Sequence, residues 1–169
     1  MKAVQFLVIV MMAMFASVTP YVHAQQGGMS PDLKTKYHEF DFWLGKWDVS
    51  RFGTTQVVGK SHIQSINDST AILENYETTV SPYKGKSLNT YNRKTGLWEQ
   101  YWTDNGGLIL KLEGGLVDGK MVLQSKEDSI FNKITWESLE DGSVRQSWEV
   151  SNDSGTSWKT VFDGIYRKQ

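Results

Sequence analysis

The chain has 169 residues, with 18 Lys and Arg against 19 Asp and Glu, and no cysteine. A formal net charge of -1 argues against a polybasic nucleic-acid binder. The lack of cysteine excludes disulfide scaffolds, zinc–cysteine sites and iron–sulfur clusters, and seven Trp beside only three Pro point to an ordered, aromatic-rich core.

In chain order, the first segment reads as an address. Met1-Lys2 is a short basic start, and residues 3–16 are apolar apart from Gln5. Val22 and Ala24 then supply the small-residue pattern before a cleavage site, which is the three-part form of a secretory signal peptide. The apolar run falls short of the roughly 20 residues needed to span a bilayer. We therefore expect residues 1–24 to be removed, leaving no stable membrane anchor on an exported chain that is periplasmic or secreted and begins near Gln25. Residues 25–36 read as a flexible lead and a short helix, with Ser30 as cap and Pro31 in the first helical position. A single domain is expected over 37–169, opening with the apolar cluster Phe40, Phe42, Trp43 and Leu44 that Gly45 ends.

Beyond Gly45 no stretch sustains a period of 3.6. Ten strands are expected instead, at 46–52, 56–66, 71–80, 86–93, 97–103, 107–113, 115–117 with 120–125, 130–138, 143–151 and 158–167. Asn67-Asp68-Ser69, Lys94-Thr95-Gly96, Asn105-Gly106, Asp118-Gly119 and Asp141-Gly142 supply turn chemistry between them. No gap accommodates a crossover helix, so the strands form an antiparallel meander, and closure removes its two edges. The expected fold is all-β, an up-and-down barrel of about ten strands with a short N-terminal helical plug. Alternation turns Trp98, Gln100 and Trp102 inward on one strand, Ile130, Asn132, Ile134 and Trp136 on another, and Val144, Gln146, Trp148 and Val150 on a third.

Three patterns carry further weight. Gly45-Lys46-Trp47 opens the first strand behind the helix-like cluster, a placement that resembles the calycin barrels of the lipocalin and fatty-acid-binding type. The resemblance implies that Trp47 plugs the closed end under a basic residue of the last strand, Arg167 or its neighbour Lys168. Ser151-Asn152-Asp153-Ser154-Gly155-Thr156-Ser157-Trp158 matches the Asp-box hairpin in a single copy; a propeller repeats it, so its role here is structural. The stretch from His38 to Val49 carries an FDFWLGxWDV signature. It resembles the opening of an uncharacterised family of exported bacterial proteins with a lipocalin-like fold, and the likeness continues through Leu73-Glu74-Asn75-Tyr76, Trp98-Glu99-Gln100-Tyr101-Trp102 and Phe162-Asp163-Gly164-Ile165-Tyr166. It spans about residues 37 to 168 and implies no activity. Tyr76 stands where Trp is frequent in that family.

Few chemistries fit these residues. His38 and His62 are the only histidines past the leader, and no His or Cys follows His62 to ligate haem from a late strand. A His-rich metal site is excluded by count, and no G-x-S-x-G elbow is present; no cofactor is implied. Glu74 stands out because Ile72 and Tyr76 share its phase, which makes it a carboxylate among aromatic residues. Leu73 favours the opposite phase. We expect Glu74 to face the interior, within reach of Asn89, Gln100 or Asn132, because a buried acid needs polar partners. Trp98, Trp102, Trp136 and Trp148 are the candidate cavity lining, with Tyr76 beside Glu74. The function expected is binding of a small, partly apolar ligand inside the barrel. A cofactor-free hydrolase or isomerase using Glu74 as acid or base is the alternative, and a protein-interaction barrel with a filled core is the third reading.

Overall fold

The computed structural model describes residues 29–125 and 129–169. The leader expected over 1–24 lies outside the described residues. Helix α1 (Pro31–Tyr37) starts where Ser30 Oγ accepts the Leu33 N–H at 3.3 Å, and a 3-10 turn (Asp41–Trp43) follows. Ten strands complete the chain: β1 (Gly45–Arg51), β2 (Val57–Ile66), β3 (Ala71–Thr78), β4 (Lys84–Asn92), β5 (Leu97–Asp104), β6 (Ile109–Val117), β7 (Lys120–Ser125), β8 (Phe131–Ser138), β9 (Val144–Ser151) and β10 (Lys159–Lys168). Each pairs antiparallel with its sequence neighbours, and β1 pairs with β10 from Trp47↔Lys168 to Arg51↔Gly164, which closes the barrel. Among the described residues no helix is long and apolar enough to cross a membrane.

One boundary differs from expectation. Residues 115–117 belong to β6, not to β7, because the pairing Gly114↔Leu123 to Val117↔Lys120 carries β6 unbroken through its two glycines. A Cβ on Gly114 would lie 2.1 Å from the Val122 carbonyl oxygen, so that close approach requires glycine. The reversal falls at Asp118 and Gly119, with φ of 50° and 77°, the paired positive values of a tight two-residue hairpin.

The helical segment acts as a plug. Phe40 and Trp43 are fully buried and stack at 5.1 Å between ring centroids. Phe40 also meets Trp98 at 5.7 Å and Trp136 at 5.1 Å, both edge-on, and Trp43 meets Tyr166 at 6.2 Å. Trp47 lies in the same layer and donates from Nε1 to the Trp43 carbonyl at 2.9 Å. Fully burying one such ring is worth about 1.5–3 kcal/mol, and favourable edge contacts add about 0.5–1.5 kcal/mol per pair.

The cation over Trp47 is Lys168, 5.4 Å from the ring centroid, and not Arg167. Period two decides this: Lys168 is the register partner of Trp47 and shares its inward phase, whereas Arg167 points outward and donates to Ser50 Oγ at 2.9 Å.

Candidate functional site

Where the plug ends, the barrel interior opens into a cavity of about 240 Å³. Its wall is built by inward positions of six strands: Glu74 and Tyr76 of β3, Gln100 and Trp102 of β5, Leu110 of β6, Ile134 of β8, Gln146 and Trp148 of β9, and Phe162 and Tyr166 of β10, with Tyr83 and Val161 also lining it. Three glycines let the rings at the wider end lie flat. A Cβ on Gly59 would come within 2.6 Å of the Tyr76 hydroxyl, one on Gly85 within 2.3 Å of Trp102 Cζ2, and one on Gly164 within 2.5 Å of Phe162 Cζ. A side chain at any of these positions would displace the ring toward the cavity. Where β9 and β10 change register between Thr160 and Phe162, Val161 is the extra residue of a bulge, which turns it to the cavity.

Among the described residues Glu74 is the only acid or base in this wall apart from the tyrosine phenols, and it is 3% exposed. Leu73 takes the outer face instead, where it pairs with Leu88, which pairs in turn with Tyr101. This outer apolar ladder is why Leu73 does not need the core. Glu74 Oε1 accepts from Ser61 Oγ at 2.9 Å, and Oε2 accepts from Ser87 Oγ at 3.0 Å. Ser87 Oγ accepts from Asn89 Nδ2 at 2.9 Å, and Asn89 Oδ1 accepts from Gln100 Nε2 at 2.8 Å. One hydrogen-bonded row therefore runs from β5 through β4 to the carboxyl of β3. Burial raises the Glu74 pKa to about 7, against the opposing pull of the two serine donors. The same burial raises the Tyr76, Tyr83 and Tyr166 phenols above their ordinary value, so all three stay neutral around pH 7. Tyr166 donates to Gln146 Oε1 at 2.5 Å, and Tyr83 donates to Asp104 Oδ2 at 3.0 Å. The buried Trp102 indole N–H has no hydrogen-bond partner among the described residues.

The structure brings together five of the expected pocket residues: Glu74, Tyr76, Gln100, Trp102 and Trp148. The other four lie elsewhere. Trp98 and Trp136 belong to the plug layer, because Phe40 enters the barrel between them, and Trp98 Nε1 donates to Glu39 Oε2 at 3.2 Å. Asn89 is fully buried behind the wall and reaches Glu74 only through Ser87. Asn132 makes no hydrogen bond to the carboxyl and does not line the cavity; its Oδ1 accepts from Trp148 Nε1 at 2.9 Å, which fixes that indole. Ser61 and Ser87, the direct partners of Glu74, were not expected. Ser87 is directly opposite Glu74 in the β3–β4 register, a signal available only once the register is known. Tyr83 sits on a loop, where alternation says nothing.

The Asp-box segment is a β9–β10 hairpin. Asp153 accepts from Ser151 Oγ at 2.7 Å, from the Ser157 N–H at 2.8 Å and from Ser157 Oγ at 2.6 Å, while Trp158 Nε1 donates to the Gly155 carbonyl at 3.1 Å. The Asp153 carboxyl, the Ser151, Thr156 and Ser157 hydroxyls and the Trp158 indole are all engaged within the turn. Among the described residues no cluster of three or more acidic or His side chains is placed to hold a metal ion. Compared with models of protein families and with curated proteins, the chain matches none.

Proposed function

We propose that this barrel is an exported binding protein for one small, partly apolar molecule, and that the chain is a member of the lipocalin-like family with the FDFWLGxWDV opening. The observation that carries the binding reading is the aromatic cavity of about 240 Å³ with a single hydrogen-bonded carboxyl in its wall. Binding sites have this composition: mostly apolar walls and a few polar groups that set orientation. The size also bounds the ligand. A cavity of about 150 Å³ holds benzene, and drug-sized ligands need about 300 Å³ or more, so one ring with a short chain fits. Such a cavity argues against a filled-core interaction barrel.

Native mass spectrometry of the protein purified from exported material tests this. We expect a chain beginning near Gln25 with one small molecule bound. A chain without a bound species, whose Trp fluorescence no single-ring compound changes, overturns the binding reading; a retained Met1 overturns leader cleavage.

One observation favours a second reading, catalysis by Glu74. A carboxyl whose pKa is about 7 can both give and take a proton at neutral pH. Under that reading Glu74→Gln abolishes turnover, whereas in a binding protein it changes only ligand preference.

A further inference from the structure

Among the described residues the cavity wall has one group able to carry charge at neutral pH, Glu74, and no Lys, Arg or His to balance it. A carboxylate offers about four acceptor positions. Ser61 and Ser87 occupy one on each oxygen, so each oxygen retains another. The same wall carries the rings of Tyr76, Trp102, Trp148, Phe162 and Tyr166, whose faces attract cations and give anions nothing. The neutral donors of the wall do not reverse this balance: Gln100 Nε2 donates to Asn89, while Gln146 Nε2 and the Trp102 indole N–H carry no charge to offset a second anion beside Glu74. A buried ionised carboxyl is costly unless paired, and among the described residues the wall supplies no cation to pair it.

Resting on the binding reading, we propose that the ligand is a small organic cation, a protonated amine on a single-ring apolar body, seated with its nitrogen against Glu74. The aromatic rings enclose the body and the ammonium N–H groups occupy the free acceptor positions. Negatively charged apolar molecules are rejected, because they would place a second anion beside Glu74 with no donor cation in the wall.

The inference sets a pH dependence. The cation needs Glu74 ionised, and burial raises the pKa of its carboxyl to about 7. Below that value a proton competes with the amine, and affinity falls by up to about tenfold per pH unit. The other titratable groups facing Glu74 are the phenols of Tyr76, Tyr83 and Tyr166, which stay neutral over this range, with Asp104 behind Tyr83. β2 and β4 present serines to it, not charges.

Isothermal titration with three molecules of one shape tests the proposal: 2-phenylethylamine, 2-phenylethanol and 3-phenylpropionate, at pH 8 and pH 5. At pH 8 the amine should bind at least about tenfold tighter than the alcohol, and the propionate more weakly than the alcohol. At pH 5 the advantage of the amine should vanish. Glu74→Gln should remove that advantage at pH 8 and leave the alcohol within about threefold of its original affinity. If this variant does not fold by circular dichroism, the ligand series and its pH dependence in the unaltered protein decide alone. An alcohol or propionate that binds as tightly as the amine overturns the cation preference and leaves the binding reading intact. If none of the three binds, this inference falls; a molecule co-purified from the source then upholds the binding reading, and its absence removes both.

Discussion

The two ends of this barrel are made from the same side chains and behave as opposites. At the plugged end Phe40, Trp43, Trp98 and Trp136 are almost entirely buried and touch ring to ring, with Trp47 buried beside them. At the other end Tyr76, Trp102, Trp148 and Phe162 are only half-buried, although they are as large and occupy equivalent inward positions. Two features make the difference. The segment before β1 delivers two rings into the first end and none into the second. Glycines at 59, 85 and 164 draw the second set of rings flat against the wall rather than across the barrel. Aromatic content therefore does not decide between a core and a cavity; what fills the centre does.

The sharpest way to break this comparison is to remove one ring from each end. Trp43→Ala should cost about 3–5 kcal/mol, the range for deleting a fully buried large ring. Trp148→Ala, half-buried beside a cavity that already exists, should cost about 1–2 kcal/mol and act mainly on ligand uptake. Urea unfolding followed by circular dichroism measures both, and equal losses would mean that the second end is core as well.

A smaller effect comes from the charge at the cavity. The Glu74 pKa stands at about 7 in the folded protein against an ordinary 4.5. Between these values the native state holds a proton that the unfolded chain has released. The stabilising contribution is therefore complete below about pH 4.5 and is lost as pH rises through about 7. At about 1.4 kcal/mol per pKa unit the loss is on the order of 3 kcal/mol. Glu74→Gln should flatten this part of the stability–pH curve and raise stability at pH 8. Among the described residues Glu74 is the only acid that is fully buried, so an unchanged slope in the variant would place the titration elsewhere.

The smallest expected effect tests the glycines. Gly85→Ala places a methyl 2.3 Å from Trp102 Cζ2 and 2.9 Å from the Thr103 carbonyl oxygen. The indole must leave the wall, at about 1–3 kcal/mol for an overpacked site. We expect blocked uptake of a single-ring probe and a shifted Trp emission maximum. Uptake equal to that of the unaltered protein would show that the ring's position does not keep the cavity open.

Several features of this molecule were legible from local chemistry. Ser30 and Pro31 mark the helix start, Asp118-Gly119 marks its hairpin, and period-two alternation turns Glu74, Gln100, Trp102 and Trp148 inward because each strand has one wet side. The meander followed from gaps too short for crossovers, and closure followed from the two edges an open sheet would leave. Alternation assigns a face but not a height along the barrel axis. Trp98 and Trp102 share a strand and a face, yet one meets the plug and the other the cavity. The entry of Phe40, the pairing of Ser87 with Glu74 and the choice of Lys168 over Arg167 depend on which distant strands become neighbours and in what register. Local preferences act over a few residues, whereas register and plug depth are set by packing across the whole barrel, so only the tertiary structure decides them.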